Sequence, residues 1–379
     1  MKHKKIFSIS MVKNEMDIIE SFVRYNTNIL DGMIILDNGS TDNTVKVLKL
    51  LKNEGLPIFI FEDHDNEFNQ AVKINQLLLK AVNEFNADIV VPLDADEFLI
   101  SSNKENPREI LEKIGHDSFY QVKWKTYMPN LDNNEQEKFI PAKLTFARYG
   151  AEEMHKVIIP NELVKNYMVK ISSGNHNLIY NPKYKESIKP VLSTDLRIAH
   201  FPIRSREQIT SKISVGWINE LCNIKRTKRQ SWHWHKMFDS LKKNGKIENG
   251  DIINFAKEYS SDSELSEIKI KEDPVNLSFC KNITLKYTNA EIDPFMNLIE
   301  KSEELSLDYS NFKKEALAKE KRLKTQIEDL KKEKLAERKQ LKSKEKRLKR
   351  EIQKYQSSTS WKVTSPLRKI STVLRDLRD

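Results

Sequence analysis

The first hundred residues alternate between short apolar runs and longer segments whose apolar residues recur at helical spacing. The apolar runs are Ile6–Met11, Met33–Leu36, Ile58–Phe61 and Ile89–Leu93. The segments with helical spacing are residues 14–30, the stretch around Val45, Leu48 and Leu51, and Ala71–Phe85. Strands that are apolar throughout need cover on both faces, and amphipathic helices between parallel strands supply that cover. The pattern therefore predicts an α/β fold with a parallel sheet.

Polar segments follow three of the four predicted strands. They are Val12–Glu15, Asp37–Asp42 and Asp94–Glu97. Ligands of such sheets bind beyond the carboxyl ends of the strands, so these segments mark a candidate site. None of them carries the glycine-rich pattern of dinucleotide or P-loop sites. Carboxylates lining a phosphate-binding crevice would repel the ligand, so we expect a divalent cation, Mg²⁺ or Mn²⁺, between them.

Asp94 and Asp96 are the sharpest element of this pattern. Side chains at i and i+2 of an extended chain point to the same side, so both carboxylates are predicted to approach one cation. An isolated Asp-x-Asp more often only solvates the end of a strand. The two other polar strand exits favour the metal site over that alternative.

Three motifs in this order resemble the successive motifs of family-2-type glycosyltransferases with the GT-A fold. They are Met11-Val12-Lys13-Asn14-Glu15, Leu36-Asp37-Asn38-Gly39-Ser40-Thr41-Asp42 and Leu93-Asp94-Ala95-Asp96-Glu97-Phe98. The resemblance extends over roughly residues 5–215 and implies a Rossmann-like mixed sheet flanked by helices. It also implies a nucleotide-sugar donor, usually a UDP-sugar, and a Mn²⁺ or Mg²⁺ ion.

The same resemblance assigns site residues. It places Asp37 and Asn38 at the base and ribose, and the metal at Asp94 and Asp96. The nucleotide-sugar pocket would also include Met11, Lys13, Glu15 and Lys73. Asn38 stands where the family commonly has a second Asp, which leaves the choice of base open.

Enzymes of this fold often supply a late histidine to the metal or the diphosphate. His200, which follows an apolar run and precedes Pro202, fits that place. Arg204 lies nearby in sequence and has the planar geometry that suits phosphate oxygens. The alternative is a structural histidine beside surface arginines.

The second half of the main body is predicted to bind the acceptor, with strands at Phe119–Trp124, Leu144–Arg148, Val157–Ile159 and Val169–Ile171. An inverting transfer needs a carboxylate base near the acceptor hydroxyl. The candidates are Glu152, Glu153 and Asp195. We favour the glutamates because they follow Gly150 in a turn between strands, and the alternative is that each is a surface acid.

The chain has 65 Lys and Arg against 55 Asp and Glu, but its charge of +10 is concentrated near one end. Residues 313–354 hold 18 basic and 8 acidic residues, and residues 1–312 carry −3. This distribution argues against a nucleic-acid-binding body. Gly and Pro are absent from 313–365, and Leu323, Leu330, Leu341, Leu348 and Tyr355 are spaced by seven or eleven residues. A long charged helix that self-associates as a coiled coil is predicted, with a solvated single helix as the alternative.

The segment Ser360–Leu367 resembles one found after coiled coils in bacterial surface-polysaccharide glycosyltransferases. Leu367, Ile370, Leu374 and Leu377 would share one helical face, surrounded by basic residues. Such a helix either lies on an anionic membrane surface or packs on a partner subunit. The first apolar run is too short for a secretory signal, so a cytoplasmic protein with peripheral contact at the inner face of the plasma membrane is expected.

Four regions are expected: 1–117 for the nucleotide-sugar, 118–300 for the acceptor with a helical extension, 301–356 as the charged helix and 357–379 as the basic tail. The predicted activity is metal-dependent, inverting transfer of a sugar, typically a hexose. The acceptor would be a glycan or lipid-linked molecule in bacterial cell-surface polysaccharide or lipopolysaccharide synthesis. The alternatives are a non-catalytic coiled-coil scaffold and a nucleotidyltransferase on a similar sheet.

Overall fold

A computed structural model describes residues 3–63, 70–103, 105–129, 131, 137–222, 232–261, 263–280, 283–288, 292–368 and 370. The chain divides into two compact units, Met1–Ser302 and Glu303–Asp379. Within the described residues, no helix is both long and apolar enough to cross a membrane.

Four parallel strands form the first half of the first unit. They are β1 (Ile6–Val12), β2 (Gly32–Asp37), β3 (Ile58–Glu62) and β4 (Ile89–Pro92), in the spatial order β3-β2-β1-β4. The intervening helices are α1 (Ile19–Asn26), α2 (Thr44–Asn53) and α3 (Gln70–Asn83). All four strands predicted from the apolar runs are confirmed, as is their parallel pairing.

The sheet continues from β4 with strands from the second half of the unit. These elements are β5 (Glu97–Ser101), α4 (Pro107–Glu112), β6 (Ser118–Thr126), α5 (Ile140–Lys143), β7 (Phe146–Tyr149), β8 (His155–Pro160), α6 (Asn161–Tyr167), β9 (Lys170–Ile171), β10 (Leu178–Ile179), β11 (Lys189–Leu192) and β12 (Leu196–His200). The order runs β4-β8-β6-β12-β5, with β11 also paired to β6. Because β8 is antiparallel to both β4 and β6, and β12 to β5, the sheet is mixed, as expected.

Three helices and one strand follow the sheet. They are α7 (Arg206–Cys222), α8 (Trp232–Asn244), α9 (Asn249–Glu258) and β13 (Lys269–Glu272), which pairs with β7. The sheet separates two apolar cores, because successive side chains of a strand point to opposite faces. Met33 and Ile35 of β2 enter one core, and Ile34 and Leu36 enter the other.

The helix predicted from Asn14 begins only at Ile19. Asn14 has a left-handed φ of 54°, which a helix does not admit, and its backbone N–H donates to Ser40 Oγ at 2.9 Å. The prediction was wrong by one turn because a contact with the end of β2 holds this segment outside the helix.

The described part of the second unit is helical. Most of it is α10, a continuous helix over Pro294–Ser357 that starts within the first unit, and α11 (Thr359–Val363) follows. The uninterrupted helix is confirmed and begins seven residues before the expected position 301. Its leucines from Leu323 to Leu348 are exposed, and self-association through them stays a prediction. The calls on Leu374 and Leu377 lie outside the described residues, and the four predicted regions stay predictions.

Candidate active site

The ends of β1 and β2 are joined by hydrogen bonds. Asn14 Oδ1 accepts from the backbone N–H of Thr41 at 2.8 Å, and the N–H of Glu15 donates to Thr44 Oγ1 at 2.8 Å. These contacts fix the first two polar strand exits as one surface at the carboxyl edge of the sheet.

Residues assigned to the nucleotide pocket by sequence resemblance meet on this surface. Asn38 Oδ1 accepts a hydrogen bond from Lys73 Nζ at 2.6 Å, and Lys73 also pairs with Asp63 at 3.1 Å. Asp37 is buried and accepts from the backbone N–H of Ser40 at 2.9 Å. Lys73 reaches Asn38 from α3, so two candidates that lie 35 positions apart in sequence are in contact.

Two further candidates lie on β1. Met11 is half-buried against the second core and pairs in register with Leu36. Lys13 follows at the strand exit, where a Cβ built on Gly39 would stand 3.9 Å from its Nζ. Both residues therefore belong to the same edge of the sheet as Asp37 and Asn38.

Residues 94–97 form a turn instead of continuing the strand. The N–H of Glu97 donates to the carbonyl of Asp94 at 3.0 Å, and Glu97 Oε2 accepts from the N–H of Asp94 at 2.9 Å. The extended backbone assumed in the i, i+2 argument ends at Pro92. Asp94 and Asp96 consequently have different neighbours.

His200 lies beside Asp96, with 3.8 Å between His200 Nε2 and Asp96 Oδ2. The pairing of β12 with β5 causes this approach, because His200 is the register partner of Glu97, the residue after Asp96. Burial and the nearby Lys156 ammonium lower the pKa of His200 well below its ordinary value. The imidazole is therefore neutral at pH 7, the form that binds metals.

Arg204 lies between the ends of β12 and β1 with its side chain only 2% exposed. Its Nε and one terminal nitrogen donate to Asp17 at 2.6 and 2.8 Å, and the same terminal nitrogen donates to Glu15 at 2.7 Å. Burial by itself would lower its pKa, but the carboxylates of Asp17 and Glu15 raise it. Contact of Arg204 with phosphate stays a prediction. The hydrogen bonds show that Arg204 acts as a structural clamp, which means that it holds the carboxylates of Glu15 and Asp17 in place.

Asp96 and His200 are the two side chains that could hold a divalent cation here. The cationic side chains nearest to Asp96 Oδ2 are Lys212 at 3.7 Å and Arg204 at 3.9 Å, outside hydrogen-bond distance. The described residues contain no cluster of three or more His, Cys, Asp or Glu suited to a metal. Mg²⁺ and similar ions at phosphate sites typically use one or two protein ligands and take the rest from water and phosphate. The two-ligand set matches that pattern.

The three candidate bases occupy different surroundings. Glu153 accepts from Arg148 through both oxygens, at 2.7 and 2.9 Å, and from Thr126 Oγ1 at 2.8 Å. Glu152 is exposed. Asp195 is also exposed and immediately precedes β12, at the end opposite to His200. The structure therefore does not bring the three together.

Glu153 lines a cavity of about 410 Å³. Its wall includes apolar groups from Trp124, Tyr127 and Val275 and the charged side chains of Lys125, Arg148, Arg197 and Asp273. The cavity belongs to the half of the sheet that sequence patterns assign to the acceptor.

Sequence reasoning missed Lys156 and Trp124. Trp124 stacks on His200 with ring centroids 4.0 Å apart, and its Nε1 donates to Glu97 Oε1 at 2.8 Å. Lys156 lies in β8 and is 1% exposed. The position of Lys156 directly before the apolar run Val157–Ile159, in the same predicted strand, is the signal that could have identified it.

The comparisons with known proteins agree with this fold. Residues 12–167 match the family model described as glycosyl transferase family 2, a match of less than half of the chain. A search of curated proteins finds no match.

Solved structures similar to this chain include S. aureus TarS 1-349, with 13% identity over 68% of this chain and 72% of that one, at a TM-score of 0.33. Another is the mannosyltransferase PcManGT from Pyrobaculum calidifontis in complex with GDP-Man and Mn²⁺, with 11% identity over 60% and 66% and a TM-score of 0.33. Residues 12–167 are therefore similar to glycosyl transferase family 2, and the mixed sheet flanked by helices is GT-A-like.

Proposed function

We propose that this protein is a metal-dependent, inverting glycosyltransferase that moves a sugar from a nucleotide-sugar, in the first instance a UDP-sugar, to a glycan or lipid-linked acceptor. The pathway we propose is bacterial cell-surface polysaccharide synthesis. The observation that carries the proposal is the meeting of Asp96 and His200 at the carboxyl edge of a family-2 domain. The polar ends of β1 and β2 lie along the same edge.

The chain's residues divide the work as follows. Asn38, Lys73 and the neighbouring strand exits bind the nucleotide, and Lys73 contributes a buried positive charge. Asp96 and His200 hold Mn²⁺ or Mg²⁺, with Asp94 beside them. When bound, the cation neutralises the diphosphate and stabilises the charge of the leaving nucleotide.

Glu153 is our proposed base, ahead of Glu152 and Asp195. It is the member of the three that lines the cavity, and Arg148 and Thr126 fix its orientation. A positioned carboxylate there would accept the proton of an acceptor hydroxyl as the new glycosidic bond forms.

Metal-dependent hydrolysis of a panel of nucleotide-sugars tests the activity. We expect hydrolysis of at least one donor with Mn²⁺, loss of it with a chelator, and loss of it in Asp96→Asn. Glu162→Gln is the matched control, because Glu162 lies on α6 and pairs with the exposed His116. Calorimetry with UDP and Mn²⁺ covers the alternatives, since no binding at millimolar nucleotide favours the scaffold.

For the second unit, we propose self-association through α10 with a second copy of the same helix. Exposed Leu323, Leu330, Leu341 and Leu348 follow the spacing of a coiled-coil seam. The basic segment after Ser357 would then contact the inner face of the plasma membrane, where lipid-linked acceptors are found. Light scattering of the full chain and of a Leu330→Glu, Leu341→Glu variant tests the association, and an unchanged mass in the variant would contradict it.

A further inference from the structure

Lys156 is a buried cation next to the candidate metal site. Its Nζ lies 2.6 Å from Asp94 Oδ2 and 3.2 Å from Glu97 Oε1, and the residue is 1% exposed. Burial alone would lower the pKa of Lys156, but the carboxylates of Asp94 and Glu97 raise it above the ordinary value. The ammonium is therefore charged at neutral pH.

Glu97 holds this lysine in place. It is fully buried and accepts from Trp124 Nε1 at 2.8 Å, from the Asp94 N–H at 2.9 Å and from Lys156. Lys156 Nζ therefore has a buried partner, Glu97, and a partly exposed partner, Asp94, whose side chain is 33% exposed.

Asp94 and Asp96 consequently differ in how closely a cationic side chain approaches them. Asp94 already has a cation at direct hydrogen-bond distance, as a charge-assisted bond of 2.6 Å requires. Among the described residues, Asp96 Oδ2 has no partner at hydrogen-bond distance: Lys212 lies 3.7 Å away, His200 3.8 Å and Arg204 3.9 Å. A divalent ion can reach Asp96 without displacing a hydrogen-bonded ammonium, whereas at Asp94 Oδ2 it would have to displace Lys156.

We propose that Lys156 is a positioning residue that occupies the place of a metal ion at Asp94. It holds Asp94 outside the metal's coordination shell, so that Asp96 and His200 are the protein ligands. This inference rests on the proposed metal site and refines it, since the motif alone predicts both aspartates as ligands. A buried lysine with a purely structural role would leave the metal affinity unchanged when it is replaced.

The proposal is tested by titrating the chain of 379 residues with Mn²⁺ alone. The concentration of free Mn²⁺, measured by electron paramagnetic resonance, gives the affinity. Asp96→Asn should weaken Mn²⁺ binding by about 10-fold or more, whereas Asp94→Asn should change it by less than about 3-fold. Lys156→Met should release Asp94 and strengthen Mn²⁺ binding by about 10-fold, and adding Asp94→Asn to Lys156→Met should remove that gain.

Lys212→Met is the matched control, because it removes an equal charge 3.7 Å from Asp96 without freeing Asp94. Its effect on Mn²⁺ binding should not depend on Asp94. Equal losses in Asp94→Asn and Asp96→Asn would overturn the role of Lys156 and keep the metal site. Absence of Mn²⁺ binding in the wild type and every variant would overturn both. The comparison of the two aspartate variants decides the question even if Lys156→Met does not fold.

Discussion

Replacing Arg204 by methionine tests whether this residue is mainly a structural clamp. The side chain is 2% exposed and makes three hydrogen bonds of 2.6 to 2.8 Å to Asp17 and Glu15. Removing one partner of a buried ion pair costs about 3–5 kcal/mol, because the remaining carboxylates stay buried without a counter-charge. For a unit of this size, that loss corresponds to a lower Tm by about 5–15 °C.

Differential scanning fluorimetry of the purified chain at pH 7.5 measures the shift. Arg206→Met is the matched control, since its acceptors among the described residues, Ile247 O and Asn249 Oδ1, are uncharged. We expect the control to lose less stability than Arg204→Met. Adding Asp17→Asn to Arg204→Met should restore part of the loss, because it removes one of the unpaired charges.

Two results would refute the clamp. One is a Tm of Arg204→Met equal to that of Arg206→Met. The other is weaker nucleotide binding with no change in Tm, which would instead support the direct phosphate contact predicted from the sequence.

Three further predictions concern the base, the pH dependence and the helix. Glu153→Gln should lower transfer by about 100-fold or more if Glu153 is the base, whereas Glu152→Gln should not; similar rates in both, measured with the best donor, would contradict this role. Burial lowers the pKa of His176, so the unfolded chain takes up its proton first and stability should fall as the pH drops below about 6.5. Urea unfolding at pH 5.5 and 7.5 should show a smaller pH effect in His176→Gln, and an unchanged effect would argue against a neutral, half-buried imidazole. Deletion of residues 313–379 should abolish self-association. It should leave the nucleotide affinity, measured by calorimetry, within about 2-fold of the wild type, because the candidate site residues lie in the other unit. Lost nucleotide binding would show that the deleted segment contributes to the site.

Local patterns in the sequence account for much of the fold. The strands β1 to β4 are apolar on both faces, so their residues predict both their positions and the need for helices on either side. The sequence also predicts most of helix α10, because Gly and Pro are absent from its central and distal parts. The polar segments after β1, β2 and β4 mark the edge of the sheet that carries the candidate site, because ligands of such sheets bind where the strands end.

Contacts between distant segments had to come from the tertiary structure. His200 reaches Asp96 because β12 pairs antiparallel with β5, and Lys156 reaches Asp94 from β8, which inserts between β4 and β6. Arg204 binds Asp17 across 187 positions of sequence. Periodicity is a property of neighbouring residues, whereas strand order and register depend on packing of the whole chain. The sequence by itself therefore determined the type of fold and the location of the candidate site, and the tertiary structure decided which charges face each other within it.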